Sequence, residues 1–205
     1  MNVAIRNSRR YMPTYILIAL NIIVYAYTSY LSGSLVETSD GVMVAFGQDN
    51  YAILSGEVWR FLTAMFVHAD IVHIFGNMFF LLIFGLRAES MFDIKEYLPI
   101  YFLSGLAGGF LTFMFSFDSL SVGASGAIFG VLGATLIYAR RAIGQSIITA
   151  LLYAFFLFII NTGPNVNIYA HLGGLVTGLL IGYALAATRK PGQAHTYGYR
   201  YSYST

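Results

Sequence analysis

Apolar positions in this chain fall into long runs separated by short charged stretches. A helix crossing about 30 Å of hydrocarbon needs roughly 20 mostly apolar residues. Six stretches meet that requirement: Met12–Leu31, Val67–Leu86, Tyr97–Phe117, Val122–Ala139, Ile143–Ile160 and Ile168–Ala187. The last three are weaker matches, because two are short and all three are interrupted by glycine or polar residues. The pattern predicts an all-α polytopic membrane protein built as a bundle of six transmembrane helices.

The segment Ser32–Phe66 is too long for a simple connection between spans. It carries an apolar patch (Val42, Val44, Phe46) and the pair Trp59-Arg60, whose ring and basic head suit a membrane–water interface. A partly structured loop lying in the outer leaflet is expected there. The stretch Pro191–Thr205, rich in Tyr, Ser and Gly, reads as disordered. The expected organisation is a cytoplasmic segment 1–11, a six-helix domain 12–187 and a flexible cytoplasmic tail 188–205.

Composition sharpens this picture. Apolar residues make up 58% of the chain and charged residues 10%, against about 25% charged in a soluble globular protein. The absence of cysteine removes disulfides and thiolate metal sites, and four histidines alone argue against a structural zinc. No cofactor is expected. A net charge of +2 gives no reason to expect nucleic acid as a partner.

The placement of charge is more informative than its sum. Arg6, Arg9 and Arg10 precede the first span; Arg87 and Lys95 lie between the second and third; Arg140 and Arg141 lie between the fourth and fifth; Arg189, Lys190 and Arg200 follow the sixth. Six crossings put all of these on one side, leaving only Arg60 on the other with Glu37, Asp40, Asp49 and Asp118. Basic residues are retained in the cytoplasm, so both termini are expected there. The first span resembles a signal peptide, but its apolar run exceeds the usual 7–15 residues, and its removal would destroy the charge separation.

Polar groups inside hydrocarbon are costly and mark functional candidates. Here they collect toward the outer ends of three spans. The second span has His68, His73 and Asn77, the fourth opens with Gly123-Ala124-Ser125-Gly126, and the sixth has Asn167 followed by Ala170-His171. Ser125 and His171 therefore sit at similar depth. Gly126, Gly130 and Gly133 line the fourth span, and Gly174, Gly178 and Gly182 follow His171 on one face of the sixth. Small residues at this spacing let transmembrane backbones pack closely, as a serine hydroxyl reaching an imidazole requires.

These residue types suit acyl transfer. A serine becomes nucleophilic when a neighbouring imidazole takes its proton, and the tetrahedral intermediate needs donors aimed at its oxyanion. His73 and Asn77, at i and i+4 on one helix face, join the backbone N–H of Ser125 as the expected donors. No Asp or Glu lies deep in any span, Asp70 and Asp118 being at the rim, so a Ser125–His171 dyad is expected. Phe129, one turn after Ser125, is placed to stack on the imidazole; plain packing is an equally good reading of that ring.

Four segments in order resemble the motifs of the rhomboid proteases, and the resemblance spans Met12 to Ala187. They are Glu57-Val58-Trp59-Arg60 in the first loop, His68 with His73 and Asn77 in the second helix, Gly123-Ala124-Ser125-Gly126 in the fourth, and Ala170-His171 with Gly174 and Gly178 in the sixth. The Gly-x-Ser-Gly segment alone is weak, being short and shared with soluble hydrolases; the ordered set of four is specific. The resemblance implies a six-helix core and a Ser–His dyad, with an oxyanion site at His73 and Asn77. It also implies cleavage of transmembrane protein substrates near their outer ends. His68 matches a supporting position. Phe129 stands where many bacterial members carry Tyr, which keeps the ring and loses a hydroxyl.

Hydrolysis needs water, so a cavity open to the outer face is expected, covered by the loop Asn161–Asn167 with its Gly163-Pro164 turn. The fifth span, with Phe155, Phe156 and Phe158, is the expected lateral gate. Two rival readings are a catalytically inactive relative that binds membrane clients, which typically lacks the Ser or the His, and a small transporter. A transporter pathway expects polar residues through the full depth or a helix broken at the midplane.

Overall fold

The computed structural model of the chain describes residues 12–142, 146–160 and 166–188. The segment 1–11, the tail from residue 189 and residues 161–165 of the expected covering loop lie outside the described residues.

Nine helices are found among the described residues: α1 (Met12–Ser32), α2 (Asp40–Phe46), α3 (Asn50–Leu54), α4 (Arg60–Thr63), α5 (Ile71–Glu89), α6 (Ile94–Phe115), α7 (Ser125–Ala142), α8 (Ile147–Ile160) and α9 (Ile168–Thr188). Four of them, α1, α5, α6 and α9, are long and apolar enough to cross a membrane, and α8 is a shorter apolar helix. The chain is a multi-pass membrane protein. Each of the six expected spans corresponds to a helix, displaced by a few residues at its ends.

α7 is not among the four long apolar helices, because Arg140 and Arg141 occupy its last turn. It packs against α5, α6, α8 and α9, and Gly126 through Thr135 are all buried. A helix enclosed by protein does not need a lipid-soluble surface. Only its face toward α9 is thin, with Gly126, Gly130 and Gly133 there.

Contact between α7 and α9 is backbone to backbone. A Cβ placed on Gly174 would lie 1.9 Å from the Gly126 carbonyl oxygen, and one on Gly178 would lie 1.9 Å from that of Gly130. One turn on, a Cβ on Gly182 would lie 2.5 Å from the Ala134 oxygen. Lipid offers apolar surface as good as any helix, so association within it rests on close van der Waals packing, and this seam provides it over three turns.

At the opposite end from Ser125, Glu89 forms a second polar anchor. The expected second span stopped at Leu86, leaving Glu89 in a loop; α5 instead runs on and buries it. Its carboxylate accepts from the Thr14 backbone N–H at 2.6 Å and also from the Thr14 hydroxyl. These are groups of the first turn of α1, where backbone donors have no helical partner and a negative charge is favoured. Thr14 also meets the Tyr97 hydroxyl of α6 at 3.2 Å, so one carboxylate ties three helices together.

The segment between α1 and α5 folds into the three short helices α2–α4 and is organised by Arg60. Its Nε donates to Glu57 at 2.7 Å, while Nη1 donates to the carbonyls of Val44 at 2.6 Å and Gly47 at 2.9 Å. An interfacial Arg beside an interfacial Trp was expected. Trp59 is exposed, but Arg60 is turned inward, 8% exposed, to satisfy the carbonyls at the end of α2. Gln48 continues the lock: it pairs through its backbone with Ser121, and its side chain donates to the Gly109 carbonyl of α6 at 2.8 Å. Tyr51 donates to Asp118 at 2.6 Å, and that bond, with the carboxylate charge, raises the phenol pKa.

Substituting Gly178→Ala should destabilise the protein by about 1–3 kcal/mol through overpacking, because the opposing atom is a backbone carbonyl that cannot swing aside. A lower melting temperature in detergent is the expected readout; an unchanged one would count against the seam.

Candidate active site

Two helix starts and one helix face converge on the site. α7 begins at Ser125, and the first α-type bond into it is Ile128 N–H to the Ala124 carbonyl at 3.0 Å. The N–H groups of Ser125, Gly126 and Ala127 precede that bond, and first-turn donors of this kind carry the positive end of the helix dipole. The turn into α7 requires Gly123, whose φ is +117°. A Cβ there would lie 2.8 Å from His73 Nε2 and 4.0 Å from Ser125 Oγ. The missing side chain is thus the space in which the His73 ring approaches the turn before Ser125.

His171 lies one turn into α9 and is buried. Its imidazole stacks on Phe129 with ring centroids 4.4 Å apart and planes at 28°, and Phe129 in turn meets Phe158 of α8 edge-on at 6.2 Å. Both readings of Phe129 therefore describe real contacts. Nδ1 of His171 is buried without a partner among the described residues, so a stacked ring, rather than a carboxylate, borders the imidazole.

Ser125, His171 and Asn77 line one cavity of about 80 Å³, together with Phe84 of α5, Phe129 of α7 and Leu157 of α8. No Asp or Glu is among its walls. Its polar lining is Ser125, His171 and Asn77, the remainder is apolar and aromatic, and α5, α7, α8 and α9 all contribute to it.

The remaining expected residues are distributed as follows. Asn77 donates through Nδ2 to the His73 carbonyl at 2.9 Å, and its Oδ1 is buried without a partner among the described residues. His73 is half-buried against Gly123, with its backbone N–H capped by Asp70 at 2.7 Å. His68 is fully buried, lies 3.2 Å through Nδ1 from the Phe66 carbonyl and meets the His73 ring edge-on at 5.1 Å. Gly126, Gly174 and Gly178 lie in the seam below the site. Trp59 and Arg60 belong to the loop and do not line the cavity. Of the expected gate residues, Phe155 and Phe156 are exposed while Phe158 faces inward.

One cluster carried almost no signal in the sequence. Asn167 donates from Nδ2 to Thr112 Oγ1 at 3.0 Å and to Ser121 Oγ at 2.8 Å, and its Oδ1 accepts from the Ala170 N–H at 3.0 Å. Asn167 drew attention only as a polar neighbour of His171. Thr112, Ser121 and Gln48 read as ordinary polar residues, since nothing in their spacing tells which distant segment they meet.

Comparison with known proteins agrees with the geometry. Residues 55–188 match the model of the Rhomboid domain family. The chain is 41% identical over 139 residues to RHOMBOID-like protein 6, mitochondrial, of Arabidopsis thaliana, covering 65% of this chain and 45% of that protein. It is 37% identical over 185 residues to Rhomboid protease GluP of Bacillus subtilis (strain 168), covering 84% of this chain and 34% of the relative. To the Putative rhomboid protease YdcA of the same organism it is 32% identical over 183 residues, covering 85% and 89%. The match thus spans less than half the length of the first two relatives and most of the third.

Substituting Gly123→Ala places a side chain at a left-handed φ, a strain of about 1–3 kcal/mol, and forces the His73 ring to move. A shifted His73 resonance in histidine-labelled protein is the expected outcome; an unaltered spectrum would contradict the contact.

Proposed function

We propose that this chain, which belongs to the rhomboid family, is an intramembrane serine endopeptidase cutting transmembrane protein substrates with a Ser125–His171 dyad. The observation that carries the reading is the shared cavity: Ser125 and His171, from two helices packed at backbone contact, face one space with Asn77 opposite. His171 takes the Ser125 proton as the hydroxyl attacks the scissile carbonyl, then delivers it to the leaving amine. The oxyanion is received by the first-turn N–H of Ser125 at the positive end of α7, aided by His73 and the second amide hydrogen of Asn77. Phe129 holds the imidazole face. The apolar depth of the cavity accepts a substrate side chain.

The reading includes a six-crossing bundle, with α7 and α8 as the two spans of reduced length or hydropathy. Arg87, Lys95, Arg140 and Arg141, at the ends of α5 and α7 and the start of α6, mark the cytoplasmic face. The site then opens to the outer face, where water enters from above. A substrate helix enters from the side, between α5 and α8, whose exposed Phe155 and Phe156 face outward. Membrane lipids surround the remaining helices.

Purified protein incubated with a labile transmembrane substrate should cleave it. Ser125→Ala and His171→Ala should each reduce turnover at least about 1,000-fold, since the two groups act as a unit. Cleavage persisting in Ser125→Ala would refute the mechanism. The chain lacks cysteine, so Phe84→Cys with Leu157→Cys permits a clean thiol cross-link between α5 and α8. Cross-linked protein should lose activity on a transmembrane substrate; undiminished turnover would exclude lateral entry at this place.

A further inference from the structure

Ser125 is the first residue of α7 and His171 the fourth of α9, and each follows by four residues a side chain of one hydrogen-bonded pair. Ser121 precedes Ser125 by four, Asn167 precedes His171 by four, and Asn167 Nδ2 donates to Ser121 Oγ at 2.8 Å. The second Nδ2 hydrogen goes to Thr112 Oγ1 at 3.0 Å, near the end of α6. Thr112 has already donated its own proton to the Gly108 carbonyl at 2.9 Å, so it presents only lone pairs and needs a donor. The Asn167 carbonyl oxygen accepts the Ala170 N–H, and its backbone carbonyl accepts the His171 N–H at 3.2 Å. Every polar atom of this carboxamide is therefore used.

Ser121 is itself fixed. Its backbone exchanges hydrogen bonds with Gln48 at 2.9 and 3.2 Å, and two residues on, the Gly123 N–H is held by the Ala64 carbonyl at 2.9 Å. The strand leading to the nucleophile is thereby tied to the outer loop, and through Asn167 to the start of the helix bearing the base. The glycine seam below brings α7 and α9 together by van der Waals contact, with Leu175 beside Gly133 and Ile137 beside Gly182; the Asn167 bonds add a directional tie at the end that carries Ser125 and His171.

We infer that Asn167 is a positioning residue that sets the depth of His171 relative to Ser125, by bridging the approach to α7 and the end of α6 from the start of α9. The inference rests on the proteolytic reading of the site. The bridge is distinct from simple helix capping, which needs only the Oδ1 contact to Ala170.

Serine separates the two roles, because it caps helices well but is too short to reach both Thr112 and Ser121. In wild type, Asn167→Ser, Asn167→Ala and Ser121→Ala, two rates are measured: cleavage of a transmembrane peptide in detergent, and labelling of Ser125 by a fluorophosphonate. Asn167→Ser should keep a melting temperature near that of wild type while kcat and labelling fall about 10- to 100-fold, the scale of a misplaced catalytic group. KM should stay within about twofold, and adding Ser121→Ala to Asn167→Ser should cost little more. Asn167→Ser at the wild-type rate, with wild type active, would overturn the inference alone and leave capping as the role. Wild type that neither cleaves nor labels would overturn the protease reading and the inference together.

Discussion

Everything at the site depends on two backbones touching. Gly126, Gly130, Gly174 and Gly178 bring α7 and α9 closer than any pair of side chains permits, and the serine and imidazole ride at the top of that contact. In a membrane the hydrophobic effect does not press helices together, so proximity has to be built from shape. The same shape explains the composition of α7. Glycine gives it a face that α9 meets at backbone distance, while Ile128, Phe129 and Leu132 face the cavity and four other helices pack around it.

Around this seam the polar chemistry is sorted to the ends. At one end Glu89 neutralises the orphan donors of α1 and draws in Tyr97. At the other, Arg60, Gln48 and Asn167 saturate carbonyls and hydroxyls in the loop and at the helix starts. Buried polar groups are costly unless paired, and most of those named here are paired within the chain. Nδ1 of His171 and Oδ1 of Asn77 are among the exceptions, both buried and unpartnered among the described residues, as is Nε2 of His68. The first two belong to cavity-lining residues, which is where a reacting ligand or water would complete them.

The sequence carried the helices and the chemistry unequally. Long apolar runs placed all six long helices within a few residues, because burial in hydrocarbon imposes a length that can be counted. The glycine faces of α7 and α9 were equally legible, since helical periodicity converts spacing into a shared side. Ser125, His171, His73 and Asn77 stood out as polar groups in an apolar setting, and the cavity gathers three of them, with His73 against the adjoining turn. Arg60 was legible as unusual but not as inward-facing: interface and carbonyl lock make the same demand on composition. Glu89 was misplaced because a charged residue normally ends a span, and its bonds to Thr14, 75 residues away, help make burial tolerable. Thr112 and Ser121 were silent for the same reason, as a hydrogen bond between distant segments leaves no periodic trace.

The glycine seam also partitions the freedom of this site to change. The wall carried by α7 and α9 consists of Ser125, Ile128, Phe129, Leu132 and His171, on two helices whose spacing is fixed behind them by main-chain contact. The opposite wall is made of side chains, Phe80 and Phe84 on α5 and Leu157 on α8, none of which meets that constraint. Substitutions at Phe80, Phe84 or Leu157 can therefore reshape the cavity while leaving the α7–α9 spacing as it is.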